Sequence, residues 1–253
     1  MVDPRAALLA CAARDESDVA LGALWLAAED CADVDVDSSL ATIDELAAEL
    51  VGLGEGADVI PAIAAIFRDR LSLRGAGAGD PRSHYLHQIL ARGCGVPLVA
   101  TVLWIAVGRR AGIATDGVQI PGHFVVRIAS RLVNPFGGDI IEETSGDAGT
   151  EPLDQRWLMP ASAREIFGRM SRNLRGCYVN RQEWDLALRA ADRCVALQPD
   201  SATDLRDRGL LRWRLGMNTA AAEDLRRYVS MAPSAKDASG IAEVLQKMRA
   251  ASN

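Results

Sequence analysis

Residues 96–108 read VPLVATVLWIAVG, a run without a single charge. A helix that is apolar nearly all round is stable in water only when other elements enclose it. The run falls short of the roughly 20 residues that a membrane-spanning helix needs. Val99, Val102, Leu103, Ala106, Val107 and Arg110 recur at helical spacing, Pro97 suits a first turn and Gly112 a stop. The spacing predicts a helix over 97–111 with Trp104 in the core. The rest of the chain must supply neighbours on most sides of it.

Those neighbours come in two styles. Before the run the periodicity is helical: DPRAALLACAARDES offers Asp3 as N-cap and Pro4 at the first helical position, and further helices are expected over 16–30, 39–52, 57–72 and 84–92. A glycine-rich loop, RGAGAGDPRS, occupies 74–83. After Gly112 the period changes to two, so TDGVQI, HFVVRIA and RLVNPF read as short strands, with Pro121-Gly122 suited to a type II turn. Residues 137–152 are loop-like, with one more short strand expected at Ile140–Glu142.

From residue 160 the chain is helical again and repeats itself. EWDLALRAADRCVALQP ends at Pro199 and TAAAEDLRRYVSMAP ends at Pro233, an offset of 34 residues that superposes Ala187 on Ala221 and Ala191 on Leu225. Small and apolar residues at fixed places in paired helices, closed by a proline, are the signature of tetratricopeptide-type hairpins. Trp184 and Trp213 are expected to pack between repeats.

Composition narrows the function classes. Apolar residues at 49% and charged residues at 25% describe an ordinary globular chain, neither disordered nor basic enough to bind nucleic acid. The net charge of −6 conceals an asymmetry, −11 over residues 1–158 and +5 over 159–253. The basic half suits either solvated helix faces or an acidic partner. MVDPRAALLACAARDES lacks the pattern of a signal peptide, so neither export nor a membrane is expected. Cys11, Cys31, Cys94, Cys177 and Cys194 form neither a metal-ligand spacing nor an even disulfide set, which points to the reducing cytoplasm. No cofactor and no metal is expected: His84 and His87 sit three apart in HYLH, with no cysteine or acid cluster nearby to complete a site. Their expected places are the surface or a cleft beside Cys94.

The order of parts resembles a known family. HYLHQILARGCGVPL, the apolar helix, GVQIPGHFVVR, LVNPFGG and the repeats together resemble the transglutaminase-like proteins with C-terminal tetratricopeptide repeats. The resemblance implies an α+β, mostly helical fold. Residues 1–158 would hold a helical N-terminus and a papain/transglutaminase-like core with a small antiparallel sheet; 159–253 would hold tetratricopeptide-like hairpins. It also implies a cysteine at a helix N-terminus, with a histidine and an aspartate or asparagine on neighbouring strands. His123 matches the histidine, and Asn134 stands where the family usually has an acid. The family's spacing from Gly112 puts the nucleophile near Pro97 rather than on Cys94.

Cys94, between Gly93 and Gly95, has two readings. A thiolate near a helix N-terminus is an activated nucleophile, and flanking glycines can aim amides at an oxyanion. Alternatively it is a small buried thiol. A two-residue turn at Ala129-Ser130 puts Asn134 diagonal to His123, whereas a turn at Pro121-Gly122 pairs the alternative acid Asp116 with Arg127, away from His123. The enzymatic expectation is acyl transfer from a thioester or amide: Cys94 as nucleophile, His123 as base, Asn134 holding the imidazole. A weaker resemblance, to the Dieckmann cyclases that release carrier-bound chains as tetramic acids or pyridones, implies an acidic acyl or peptidyl carrier protein docking on the basic half. The alternatives are a cysteine peptidase, amidase or transglutaminase-type transferase, and a non-catalytic scaffold or regulatory binder.

Overall fold

The structure is a computed structural model that describes residues 2–14, 17–52, 59–120, 122–141 and 158–251. The chain divides into two compact units, Met1–Met170 and Ser171–Asn253. Among the described residues no helix is long and apolar enough to cross a membrane.

The first unit is built around the apolar run. Four helices precede it: α1 (Pro4–Ala12), α2 (Val19–Asp30), α3 (Val36–Ala48) and α4 (Val59–Leu71). Asp3, Asp18 and Asp35 cap the first three, each carboxylate accepting from backbone N–H groups of the first turn. β1 (Arg74–Gly75), a 3-10 turn (Pro81–His84), α5 (Leu86–Arg92) and β2 (Cys94–Gly95) lead into α6 (Pro97–Arg110). Every residue of α6 from Leu98 to Gly108 is buried, Trp104 completely. The 3.6-residue period alone does not reveal which faces are covered; α2, α3, α5 and the sheet enclose it together.

β3 (Thr115–Ile120), β4 (His123–Ile128), β5 (Arg131–Val133) and β6 (Ile140–Ile141) form an antiparallel sheet in chain order. The registers are those the turn arithmetic requires: Ile120 opposite His123, Asp116 opposite Arg127, Ile128 opposite Arg131. Pro121 and residues 142–157 lie outside the described residues, but Gly122 has φ of 77°, the left-handed conformation such a turn demands. One sheet face meets α6, where a Cβ at Gly117 would lie 3.2 Å from Ile105. The other face carries Val118, Ile120, Val125 and Leu132, with Leu158 packed against them. The strand expected over RLVNPF ends at Val133, because Asn134 turns the chain.

α7 (Ala163–Asn180) starts in the first unit, where Phe167 fills the space left by Gly22 on α2. The second unit continues with α8 (Trp184–Leu197), α9 (Ala202–Arg214), α10 (Asn218–Met231) and α11 (Ala238–Ala251). Ala187 and Ala221, Ala191 and Leu225 are all fully buried, as the 34-residue register requires. Gly209 lets α9 approach α10: a Cβ there would lie 2.8 Å from Leu225. Trp184 is half-buried, but Trp213 is 39% exposed and does not serve as a packing residue between repeats.

Arginines of this unit are committed to carboxylates. Asp224 receives Arg208 at 2.6 Å and Arg212 at 2.9 Å, and both arginines also reach Asp192. Asp204 is buried and receives Arg172 and Arg175, each at 2.8 Å. Burial pushes the Asp204 pKa up, but hydrogen bonds from Arg172, Ser201 and Arg175 outweigh it and hold the carboxyl below its usual range.

Two outcomes follow for stability. Trp104 Nε1 donates to the Pro135 carbonyl at 2.8 Å inside the core, so Trp104→Phe should cost about 1–3 kcal/mol in urea unfolding. A loss under about 0.5 kcal/mol would place that bond outside the core's stability. Asp204 has a depressed folded pKa, so its contribution is present above the unfolded value and lost as pH falls through the folded one. Between about pH 5 and pH 2 the wild type should therefore lose stability more steeply than Asp204→Asn, which starts lower at neutral pH by roughly 3 kcal/mol. Parallel pH profiles would contradict this.

Candidate functional site

Two regions are candidates for a functional site: the segments around the start of α6, where the resemblance places one, and a groove in the second unit.

At the first, β1 and β2 form a short parallel ladder that pairs Arg74 with Cys94 and Gly75 with Gly95. Arg74 N–H donates to the Gly93 carbonyl and Ala76 N–H to the Gly95 carbonyl, both at 2.9 Å. Local crowding explains the two glycines. Gly93 ends α5 with φ of 63°, and a Cβ there would lie 1.9 Å from the Leu71 carbonyl oxygen. A Cβ on Gly95 would lie 2.2 Å from Ile89. They are packing glycines at the α5–β2 junction, and this crowding by itself requires glycine on both sides of Cys94. Cys94 itself is 8% exposed. Pro97, Leu98, Val99 and Ala100 form the first turn of α6, where the resemblance places a nucleophile; none of these side chains has a reactive group, and Leu98, Val99 and Ala100 are buried.

His123 opens β4 and is exposed. Strand alternation places it with Val125 on the sheet face away from α6, whereas Phe124 lies on the α6 face, against Gly117. Thr101 on α6 donates to the Phe124 carbonyl at 3.5 Å, so α6 touches β4 beside the histidine. Asn134 follows β5; its Oδ1 accepts from the Phe136 N–H at 3.0 Å, closing the NPFGG turn on itself. That turn is a packing hub. Pro135 takes the Trp104 bond, the Phe136 ring lies 3.4 Å from where a Gly75 Cβ would stand, and Gly138 approaches Ala64 with φ of 74°. Trp104 also meets Phe67 edge-on, with ring centroids 5.4 Å apart. Among the described residues no hydrogen bond joins Cys94, His123 and Asn134.

Asp116 pairs with Arg127 at 2.9 Å and Arg109 at 3.0 Å, a cross-strand ion pair well removed from His123. His84 is buried, and its Nε2 lies 2.9 Å from the Ala78 carbonyl, which anchors the glycine-rich loop. Burial pushes its pKa down, partly opposed by that carbonyl. It therefore serves the loop rather than the surface.

The second region was not singled out from the sequence. α7, α9 and the start of α8 line a groove of about 520 Å³ that includes Arg175, Asn180, Trp184, Leu210 and Arg214. The exposed Arg214 guanidinium stacks 3.9 Å over the Trp184 ring. Arg175 bonds Asp204 and Asp207 at the groove floor. The sequence signal for it is the pairing of positions 175, 179 and 180 on one helix with 207, 210, 211 and 214 on the next first helix of a repeat.

Comparison with known proteins agrees with this architecture. The profile of the Transglutaminase-like superfamily matches residues 35–172, and that of the Tetratricopeptide repeat matches residues 174–246. A UPF0162 protein of Pseudomonas aeruginosa is 31% identical over 243 residues, 89% of each chain. A UPF0162 protein of Xylella fastidiosa is 40% identical over 170 residues, covering 61% of this chain and 60% of its own. Protein SirB1 of Salmonella typhimurium is 26% identical over 163 residues, with 59% and 60% covered. The match thus spans about three fifths of the Xylella and Salmonella proteins. No solved structure matches the chain. With a core profile covering more than half its length and the enclosed helix, antiparallel sheet and paired C-terminal helices described above, the chain belongs to the transglutaminase-like superfamily, joined here to tetratricopeptide repeats.

Proposed function

We propose that this protein acts by binding, with its tetratricopeptide unit taking up an extended segment of a partner protein. Helical repeats of this kind present a groove suited to a peptide. The groove lined by Trp184, Leu210 and Arg214 carries the reading: it offers apolar side chains, an aromatic face and an exposed cation in one place. Such a set favours a segment with an apolar side chain next to a carboxylate. The transglutaminase-like core serves as a rigid platform, supported by an α6 first turn without a nucleophile and an Asn134 oxygen committed to its own turn.

The test is selection of a displayed random-peptide library on the full-length protein. Enriched peptides should share an acidic residue beside an apolar one, and Arg214→Glu should weaken them at least about tenfold, the loss of one charge-assisted contact, without lowering the melting temperature. No enrichment, or equal binding to Arg214→Glu, would overturn the reading.

One observation favours a second reading, acyl transfer. β1 pairs with Cys94 on one side and packs on the NPFGG turn on the other, while α6 touches β4 next to His123. In this reading His123 takes the Cys94 proton, the thiolate attacks a thioester or amide carbonyl, and the imidazolium returns the proton to the departing thiol or amine. His123 accepts the proton of an acidic carbon, whose carbanion attacks the acyl group and releases Cys94 in a Dieckmann-type closure; water or an amine gives the peptidase, amidase or transferase outcome. Asn134 would orient the ring, and an acidic carrier protein would dock on residues 159–253. Intact mass after incubation with a small acyl thioester decides it: an adduct on Cys94 that His123→Ala abolishes supports this chemistry, and an unmodified protein excludes it.

A further inference from the structure

The fold brings together, in the first unit, three ligand types that the linear sequence keeps apart. The turn between α2 and α3 carries Cys31 and Asp33, and α5 carries His87 at its second residue. The Cys31 sulfur, an Asp33 carboxylate oxygen and a ring nitrogen of His87 all lie within 4.8 Å of one another. The missing partners of the HYLH motif therefore come from more than fifty residues upstream.

The surroundings hold this cluster in place. The Tyr85 hydroxyl donates to Asp30 Oδ2 at 2.8 Å, fixing the end of α2 beside the start of α5. The Tyr85 and His87 rings lie 5.8 Å apart. Nε2 of His87 sits 3.1 Å from the side-chain amide of Gln88. Nδ1 is buried and has no hydrogen-bond partner among the described residues. A buried ring nitrogen left unsatisfied costs stability, and a cation would satisfy it. The Gln88 amide nitrogen donates to Nε2 as placed; a metal ion at Nδ1 requires the other tautomer, with the amide turned so that its oxygen accepts from Nε2–H, the usual support for a metal-bound histidine. Cys31 is half-buried and Asp33 exposed, so an ion can enter from the Asp33 side.

We propose that Cys31, Asp33 and His87 bind a divalent transition-metal ion of the zinc class, leaving one coordination position open. A thiolate, an imidazole and a carboxylate select zinc or its chemical relatives over magnesium and calcium, which take oxygen ligands. Tetrahedral binding at ordinary bond lengths sets ligand atoms about 3.3–3.6 Å apart. Closing the cluster to that size needs side-chain rotation on the order of an ångström. As the metal–sulfur bond forms, Cys31 releases its proton to solvent. Three protein ligands with an open position match a site that holds water or a small ligand, rather than a closed structural site.

The test is a Co2+ titration of full-length protein, stripped with chelator and kept reduced with a phosphine. One equivalent should produce the strong visible bands of four-coordinate Co2+ and a near-ultraviolet thiolate charge-transfer band, both removed by Zn2+. Cys31→Ser should abolish the charge-transfer band. His87→Ala and the surface variant Asp33→Asn should each weaken binding at least about tenfold, with circular dichroism confirming that every variant is folded. A spectrum no stronger than that of aqueous Co2+ would overturn the proposal. So would a thiolate band that persists in Cys31→Ser, which would assign the ion to another cysteine.

Discussion

The burial of α6 is the constraint on which the first unit depends. Leu98, Val99, Val102, Leu103, Ile105 and Val107 are all buried, and each contributes roughly 1.5–3 kcal/mol relative to exposure. No single polar contact in the unit competes with that sum. The sheet, α2, α3 and α5 are arranged as they are because each covers part of one helix that cannot face water. The polar exceptions are satisfied locally: Trp104 reaches the Pro135 carbonyl and Thr101 the Phe124 carbonyl. A first turn in which Leu98, Val99 and Ala100 are buried is a continuation of the core, and this is the physical basis for reading the core as a platform.

The second unit rests on different physics. Alanines and a glycine at the helix contacts let its helices approach closely around buried Leu197, Leu205, Leu225 and Tyr228. Buried carboxylates held by paired arginines supply specificity of register: Asp204 ties α7 to α9, and Asp224 ties α9 to α10. Pairs of this kind add little net stability but are costly to break singly. They also engage many of the arginines behind the +5 balance of residues 159–253. The exposed Arg214 over Trp184 is differently placed, at a groove rather than between helices.

Periodic features were legible in the sequence. The apolar helix, the β3–β4 register that sets Asp116 against Arg127, and the alanines at 187 and 221 all follow from spacing, because spacing dictates which face a side chain takes. Features decided by contacts remote in sequence were not. The two-residue ladder at Cys94 depends on a loop twenty residues earlier, and the glycines beside it answer to Leu71 and Ile89. That the Asn134 oxygen also accepts from Phe136 N–H, closing the NPFGG turn, is a local contact that the match of residue types leaves open. Trp213 follows the repeat register but faces outward, and His87 meets Cys31 and Asp33 only through the packing of α2 and α5.

The proposed binding role requires a core organised for packing, in which Cys94 does not act as a nucleophile. Brief reaction of the native, reduced protein with substoichiometric iodoacetamide, followed by peptide mass mapping, tests it most directly. The account predicts that Cys94 is alkylated no faster than the half-buried Cys31 and that His123→Ala leaves its rate unchanged. Preferential alkylation of Cys94 that disappears in His123→Ala would contradict it.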